Sequence, residues 1–196
     1  MIIIGLTGSI GMGKSTVASL LSDMGYPVYN ADKAVHALLR RGGKAVKPVA
    51  KLFPSAVKRG EVNRKILGPM VFNHPIKLKK LERILHPLIR HAEKEFLQKA
   101  RKKKESAAIL EIPLLFETNG HKRCDFTICV TAPKTVQMAR VMQRPGMTKD
   151  KLKAIQARQM PDKRKRKLAN YVINTGGSRS QTKQRLQTVL TQILKV

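Results

Sequence analysis

Residues 8–15 of the chain read Gly8-Ser9-Ile10-Gly11-Met12-Gly13-Lys14-Ser15. They match the phosphate-loop pattern G-x-x-x-x-G-K-[ST], and the chemistry explains the spacing. Glycines let the backbone turn tightly, so that successive N–H groups point inward at phosphate oxygens. The loop then leads into a helix N-terminus, whose unpaired N–H groups and dipole favour an anion. In this pattern Lys14 reaches the β- and γ-phosphates, and the Ser15 hydroxyl is a ligand for Mg²⁺.

The sequence around this loop predicts a strand, a helix and a second strand. Residues 2–4 are a β-branched run bounded by glycine, which is typical of a strand buried on both faces. After Lys14 the apolar residues recur at helical spacing, and Gly25 ends the helix. Residues 27–29 are a second short strand candidate. Together they form a βαβ unit, which builds parallel sheets with right-handed crossovers.

The rest of the chain alternates helical and strand patterns. Strands are predicted at 107–111, 126–130 and 171–173. Helices are predicted after Pro133 and Ser178, over the basic stretch 147–167, and at 33–40, 45–53, 64–72 and 75–103. We expect His86-Pro87 to kink or interrupt the long helix over 75–103, because proline lacks an N–H group and crowds the preceding turn.

This alternation predicts an α/β fold, with a parallel sheet flanked by helices of the kind found in P-loop NTPases. The nucleotide-binding core would comprise residues 1–32, 108–146 and 170–196. Residues 33–107 would form a helical insert next to the sheet, and residues 147–169 a helical lid.

The composition is strongly basic. The chain has 40 Lys and Arg against 12 Asp and Glu, a net charge of +28, which favours polyanionic partners such as nucleotides, nucleic acid or an anionic membrane surface. Its strongest charge runs, 101–104 and 163–167, are most simply solvated faces. Nucleic acid is the less favoured partner, because aromatic residues are 4% of the chain and Trp is absent. The chain therefore lacks a set of aromatic side chains on which bases could stack.

Cysteine usage and hydrophobic patterning suggest an intracellular setting. The spacing of Cys124 and Cys129 is not that of a zinc site, and two cysteines do not form the disulfide framework of a secreted protein. We therefore expect reduced thiols in a cytoplasmic protein. No apolar run is long enough to span a bilayer, and the N-terminus lacks the basic leader of a signal peptide. We therefore expect no membrane partner, and we favour a monomer.

The phosphate loop belongs to a longer resemblance. Residues 6–16 resemble the opening of the dephospho-coenzyme A kinases, and Asn30-Ala31-Asp32 stands where that family usually carries Asp-Ala-Asp. Further elements are similar to the family in the same order along nearly the whole chain: His86-Pro87-Leu88-Ile89, the segment 111–117, Arg140 with Gln143 and Arg144, Arg158-Gln159, and Ile173-Asn174-Thr175-Gly176.

This resemblance implies a reaction. Members of the family use ATP to phosphorylate the ribose 3′-hydroxyl of dephospho-coenzyme A, with Mg²⁺ as cofactor and the insert 33–107 as the acceptor domain. Two positions depart from the family: Asn30 replaces the first Asp of the triplet, and Glu111 stands where many members have Asp. A Glu can still bind Mg²⁺ but reaches one methylene farther. The two departures therefore leave open the alternative that the enzyme is less active.

The resemblance also assigns roles to single residues, each with a plainer alternative. Asp32 would accept the proton of the attacking hydroxyl or orient that hydroxyl; alternatively it caps the helix that follows. Glu111 would hold Mg²⁺ together with Ser15, or it is a strand-end residue facing water. Arg140 and Arg144, one helical turn apart on a shared face, would clamp phosphates and neutralise developing charge, or they form a solvated basic face.

The remaining expected contacts divide between ATP and the acceptor. On the ATP side they are Gly8, Ser9, Ile10, Gly11, Met12, Gly13, Lys14, Ser15, Thr16, Arg144, Asn174 and Gly176. On the acceptor side they are Asp32, Arg64, His86, Glu111 and Arg140. For His86 a packed turn histidine is equally plausible, and for residues 174–176 a plain turn. His36 is a weaker candidate, and Glu117 is a candidate only for capping a turn.

Two rival functions share the phosphate loop. One is another small-molecule kinase of the nucleotide-kinase type, in which the loop has the same role. The other is a nucleic-acid-binding protein in which the loop gates binding, and its ATP turnover would require nucleic acid and no small acceptor.

We expect Lys14→Ala to remove most turnover while the fold survives, because the lysine contacts the β- and γ-phosphates. ADP release measures the turnover, and circular dichroism measures the fold. Turnover close to the wild-type rate would rule out the assignment of the loop.

Overall fold

The computed structural model describes residues 1–72 and 74–195. The chain divides into two compact units: Met1–Tyr29 with the chain from Ala100 onward, and Asn30–Lys99. The finer predicted division into core, acceptor domain and lid stays a prediction. Among the described residues, none of the helices combines the length and hydrophobicity needed to cross a bilayer.

The elements follow one another in this order: β1 (Ile2–Thr7), α1 (Lys14–Asp23), β2 (Val28–Asn30), α2 (Ala31–Leu39), α3 (Val46–Leu52), β3 (Val57–Lys58), β4 (Glu61–Val62), α4 (Arg64–Phe72), α5 (Pro75–Lys102), β5 (Ala107–Glu111), β6 (Phe126–Thr131), α6 (Lys134–Met142), α7 (Lys149–Ala157), α8 (Asp162–Leu168), β7 (Tyr171–Asn174) and α9 (Arg179–Leu194). Short 3₁₀ turns at Pro54–Ala56 and Gly120–Arg123 complete the list.

The first unit is built on a five-stranded sheet with the order β2-β5-β1-β6-β7. The pairs β1–β5, β1–β6 and β6–β7 are parallel, which confirms the predicted α/β fold. Ile4 in the central strand is fully buried and lies opposite Ile109 on one side and Phe126 on the other. The register therefore places the carboxyl ends of the parallel strands at one edge, which is where ligands bind in open α/β sheets.

The core of the first unit explains why the opening residues form a strand. Ile4 and Leu6 pack in one apolar cluster with Val17 and Leu21 of α1 and with Leu186 of α9. A strand that is covered in this way has no polar face, and so its sequence is continuously apolar instead of alternating.

Helix α9 begins with a capping box. The Ser178 hydroxyl accepts a hydrogen bond from the backbone N–H of Gln181 at 3.1 Å, and the Gln181 side chain accepts one from the Ser178 N–H at 3.1 Å. These two bonds satisfy N–H groups that have no partner inside the helix. The cap thus fixes where the helix starts, and Leu190 and Ile193 on its inner face are buried.

The second unit contains α2, α3, α4, most of α5 and the β3–β4 hairpin around its own apolar cluster, which includes Val49, Phe53 and Leu67. Of the two effects predicted for Pro87, the interruption is wrong, because α5 continues through this residue, and the kink stays a prediction. Pro87 is exposed, while Leu85 and Leu88 of the same helix join the cluster. Packing on both sides of the proline offsets the lost backbone hydrogen bond.

Two local features differ from the sequence prediction. The β3–β4 hairpin was not predicted, because two-residue strands are too short to show alternation. Its turn at Arg59-Gly60 has positive φ at both residues, 51° and 78°, as type I′ hairpin turns require. The basic stretch 147–167 is two helices: α7 ends at Ala157, and α8 begins after Pro161, which occupies its N-cap position.

We expect Ser178→Ala to lower the free energy of unfolding by about 1 kcal/mol, because it removes the side-chain half of the capping box. Urea denaturation followed by circular dichroism measures it. Ser180→Ala, at an exposed position inside the first turn of the same helix, is the matched control and should leave the midpoint unchanged. Equal midpoints for both variants would contradict the role of the cap.

Candidate active site

The glycine loop joins the end of β1 to the start of α1 and requires glycine at two positions. Gly11 and Gly13 have φ values of 77° and 79°, which L-residues with side chains rarely adopt. Space is also absent: a Cβ on Gly13 would stand 2.6 Å from Thr175 Oγ1, and one on Gly11 would stand 2.6 Å from Val141 Cγ2. The backbone of this loop is therefore packed directly against α6 and the chain after β7.

Lys14, the first residue of α1, forms an ion pair with Glu111. Its Nζ lies 2.7 Å from Glu111 Oε1, and the two side chains are 15% and 5% exposed. The register of the sheet explains the meeting, because Glu111 at the end of β5 lies opposite Leu6 at the end of β1. The alternative that Glu111 is a strand-end residue facing water is wrong, because its carboxylate is buried. Glu111 instead places negative charge where the loop lysine is held.

Two glutamines brace the loop at Ile10. Gln137 of α6 donates from Nε2 to the Ile10 carbonyl at 2.7 Å, and Gln159 Oε1 accepts from the Ile10 N–H at 3.1 Å. Both polar groups of one loop residue are thus bound by side chains from other elements. Gln137 was not predicted as a site residue, although a polar residue at a buried position of an amphipathic helix was the available signal.

Thr175 connects the loop to Arg140. The Thr175 hydroxyl donates to the Met12 carbonyl at 2.9 Å and accepts from Arg140 Nη1 at 3.0 Å, while Arg140 Nη2 donates to the Thr175 carbonyl at 2.6 Å. A guanidinium that donates from two nitrogens to two acceptors has a fixed orientation. The structure therefore places Arg140 beside the loop through Thr175, a residue for which the sequence predicted no role.

Arg144 does not share a helical face with Arg140, and that expectation is wrong. Helix α6 ends at Met142, and Arg144 is exposed in the turn that follows. Pro145 disfavours helical conformation in the residue before it, which explains the early end.

A cavity of about 790 Å³ lies next to the loop in the first unit. Its lining includes Ser9, Met12, Thr131, Gln159, Asp162 and Asn174. Asn174 Oδ1 accepts from the Gly176 N–H at 2.8 Å, so this side chain stabilises its own turn and also faces the cavity.

Burial makes the second cysteine an unsuitable nucleophile. Cys129 lies on β6, and desolvation by burial, helped by the negative charge of Asp162, raises the pKa of its thiol to about 12. The thiol is therefore neutral at physiological pH, and we assign it a packing role.

The second unit holds Asp32 in the first turn of α2. The N-cap of this helix is Asn30, whose Oδ1 accepts from the Lys33 N–H at 2.7 Å. The alternative that Asp32 caps the helix is thus wrong, and the helix begins two residues earlier than predicted. Asp32 is exposed, so its carboxylate is available for another role.

The second unit has its own cavity of about 900 Å³. Its lining is mostly basic or polar and includes Lys33, His36, Arg40, Asn63, Arg64 and Lys65. Arg64 Nη1 lies 2.9 Å from His36 Nδ1, and because guanidinium can only donate, Nδ1 is the acceptor. His86 does not line this cavity. It is exposed on α5, which excludes the packed turn histidine.

The fold and this site define a class of protein. A parallel sheet whose central strand leads into a glycine loop, with the loop lysine at a helix N-terminus and an arginine held beside it, is the architecture of a P-loop kinase.

Comparison with known proteins gives the family. A family model described as dephospho-CoA kinase matches residues 2–181. The dephospho-CoA kinase of Paramagnetospirillum magneticum is 54% identical over 166 residues, which cover 85% of this chain and 78% of the relative. That of Bartonella quintana is 44% identical over 199 residues, covering 100% of both. The solved dephospho-CoA kinase from Campylobacter jejuni is 30% identical with a TM-score of 0.74, over 98% of this chain and 97% of that one. The chain belongs to the dephospho-CoA kinase family.

Membership confirms the resemblance seen in the sequence, and with it the prediction of a kinase that uses ATP. The comparisons favour neither rival class. The roles of single residues are a separate matter and stay predictions.

We expect Thr175→Val to raise the KM for ATP about fivefold and to lower the free energy of unfolding by about 1–2 kcal/mol, because both Met12 and Arg140 lose their shared hydroxyl. Thr175→Ser keeps the hydroxyl and serves as the control, with a KM close to that of the wild type. Steady-state kinetics at saturating acceptor measures the effect. A wild-type KM in the valine variant would show that the hydroxyl does not position the site.

Proposed function

We propose that this chain transfers the γ-phosphate of ATP to the ribose 3′-hydroxyl of dephospho-coenzyme A, giving coenzyme A and ADP. The observation that carries the proposal is the phosphate loop with its Lys14–Glu111 ion pair, in a chain that belongs to this family. In the reaction the 3′-oxygen forms a bond to the γ-phosphorus, the bond from that phosphorus to the β–γ bridging oxygen breaks, and the hydroxyl proton leaves.

The loop binds and orients the triphosphate. Its N–H groups and the positive end of the α1 dipole attract the phosphate oxygens. Lys14 supplies a positive charge, which Glu111 holds at the loop and for which a bound triphosphate would compete. Arg140, fixed by Thr175, would neutralise charge that develops on the transferring group. Catalysis by this chain would then consist mainly of positioning and charge neutralisation.

The oxygen donors present fit a magnesium ion. Ser15 is an exposed hydroxyl in the first turn of α1, and Glu111 presents a carboxylate at the neighbouring strand end. Mg²⁺ prefers hard oxygen ligands and usually takes only one or two from the protein, with the phosphates and water completing its shell. Ser15 and Glu111 would hold the ion, which when bound neutralises the β- and γ-phosphate oxygens.

On the acceptor side we assign to Asp32 the role of the base that accepts the proton of the attacking hydroxyl. Its carboxylate is exposed and does not cap the helix, so it is free to accept a hydrogen bond from the attacking hydroxyl and then its proton. The Asn30 substitution affects this role little, because Asn30 caps α2 through its side-chain oxygen, as an Asp would.

The basic cavity of the second unit suits the phosphates of the acceptor. Dephospho-coenzyme A carries a negatively charged diphosphate, and Arg64 and Lys33 present the opposite, positive charge around this cavity. The Arg64–His36 contact orients the guanidinium. His86 is a weaker contact, since it lies outside this lining.

We assign the exclusion of water to residues 147–169 as a lid, because water would otherwise compete with the hydroxyl as acceptor. We place the activity in the cytoplasm, which fits the thiol of Cys129, a buried cysteine outside any disulfide.

An acceptor panel tests the proposed function. ADP formation from Mg·ATP is measured with dephospho-coenzyme A, with nucleosides, with nucleic acid and without acceptor. Coenzyme A itself is the matched control, because its 3′-oxygen already carries a phosphate. We expect stimulation by dephospho-coenzyme A alone, with coenzyme A as product. Stimulation by nucleosides or nucleic acid, and none by dephospho-coenzyme A, would overturn the proposal.

We expect Asp32→Asn to lower kcat by about 10²–10⁴, with a much smaller change in either KM, because the variant loses the proton acceptor but stays polar. The control is Asp23→Asn, which removes an exposed ion pair with Arg179 that contributes little, so its kcat should stay near the wild-type value. Equal kcat values for the two variants would exclude Asp32 as the base.

A further inference from the structure

The segment between α7 and α8, together with the first residue of α8, is tied to the rest of the first unit by three hydrogen bonds. Gln159 Oε1 accepts from the Ile10 N–H at 3.1 Å, and the Met160 N–H donates to Glu117 Oε1 at 2.7 Å. Asp162 Oδ2 then accepts from the Thr131 hydroxyl at 3.0 Å. These contacts join the base of the predicted lid to the phosphate loop, to the segment after β5 and to the end of β6.

A buried ion pair lies under this segment. Lys165 of α8 is 0% exposed, and its Nζ contacts Glu117 Oε1 at 2.9 Å and the Pro113 carbonyl at 2.8 Å. Burying a charged amine costs free energy that an apolar residue at the same position would not cost. Such a pair is better suited to specifying one arrangement than to adding stability. The arrangement it specifies includes Met160, since Glu117 Oε1 accepts from both partners.

The anchored position of Met160 determines where Gln159 can reach. With the Met160 N–H bound to Glu117, the preceding side chain meets the loop at Ile10. Gln137 binds the carbonyl of the same residue from the other side. Two successive peptide groups of the loop are therefore oriented from outside, and with them the Gly11 N–H, which shares a rigid peptide plane with the Ile10 carbonyl.

We infer that Gln159 is a positioning residue that sets the conformation of the phosphate loop for nucleotide binding, and that the buried Glu117–Lys165 pair holds Gln159 in place. The inference rests on the proposed nucleotide-binding role of the loop. Within the lid proposed for residues 147–169, this makes α8 the anchored part and leaves α7 as the part that closes.

The first test replaces Gln159. In Gln159→Leu the Ile10 N–H loses its acceptor, and we expect the KM for ATP to rise about tenfold, with kcat and the KM for dephospho-coenzyme A changing less than about twofold. Gln184→Leu, the same substitution at an exposed position on α9, should match the wild type. If the leucine variant fails to fold, Gln159→Asn, which stays polar but is too short to reach Ile10, replaces it, with Gln184→Asn as control. A KM for ATP within about twofold of the wild-type value overturns the inference.

The second test removes the pair as a unit. Glu117→Leu/Lys165→Met leaves no unpaired charge inside, so we expect the fold to survive. The KM for ATP should rise about as much as in Gln159→Leu, and adding Gln159→Leu should raise it by less than about twofold more, since both changes interrupt one chain of contacts. Effects that multiply, or a pair variant with the wild-type KM, would show that the pair does not act through Gln159.

Calorimetric binding of a non-hydrolysable ATP analogue separates this inference from the proposed function. If the wild type binds the analogue but dephospho-coenzyme A does not stimulate ADP release, the proposed acceptor is wrong while the Gln159 comparison still holds. If the wild type is active and Gln159→Leu binds the analogue as tightly as the wild type, only the positioning role fails.

Discussion

The phosphate loop depends on a constraint that it cannot satisfy alone: its N–H groups have to point at an anion, so its own backbone is left without regular hydrogen bonds. The surrounding elements supply the missing restraint. Gln137 and Gln159 bind Ile10, Thr175 binds the Met12 carbonyl, and glycine at position 13 lets Thr175 approach. A loop whose shape is set by neighbours is organised before the nucleotide arrives, and less ordering free energy is then lost on binding.

The segment 111–117 links the phosphate loop to α8. Glu111 at its start pairs with Lys14 of the loop, and Glu117 at its end pairs with Lys165 of α8. Between them the Pro113 carbonyl accepts from both Thr7 and Lys165. In a chain with a net charge of +28, two of its 12 acidic residues are used to hold lysines in buried places. Most of the excess positive charge lies on exposed helix surfaces and is not needed for these contacts.

Sequence patterns predicted the elements well where tertiary packing and local pattern agree. The limits of β5 and α4 match the prediction, and the strand–loop–helix opening lies where the glycine pattern placed it. The failures have local causes. Pro87 remains inside α5 because apolar neighbours on both sides hold the helix together, and a hairpin of two-residue strands shows no alternation to detect. Arg144 does not lie on the helical face of Arg140, because Pro145 ends the helix early.

The sequence by itself determined the βαβ opening, the phosphate-loop chemistry and the family, because each rests on residues close together in the chain or on motifs in a fixed order. Only the tertiary structure decided which side chains brace the loop, that Asn30 and not Asp32 caps α2, and that Glu117 binds a buried lysine. These contacts join residues far apart in the chain. Their partners are chosen by sheet register and helix packing, which no local pattern encodes.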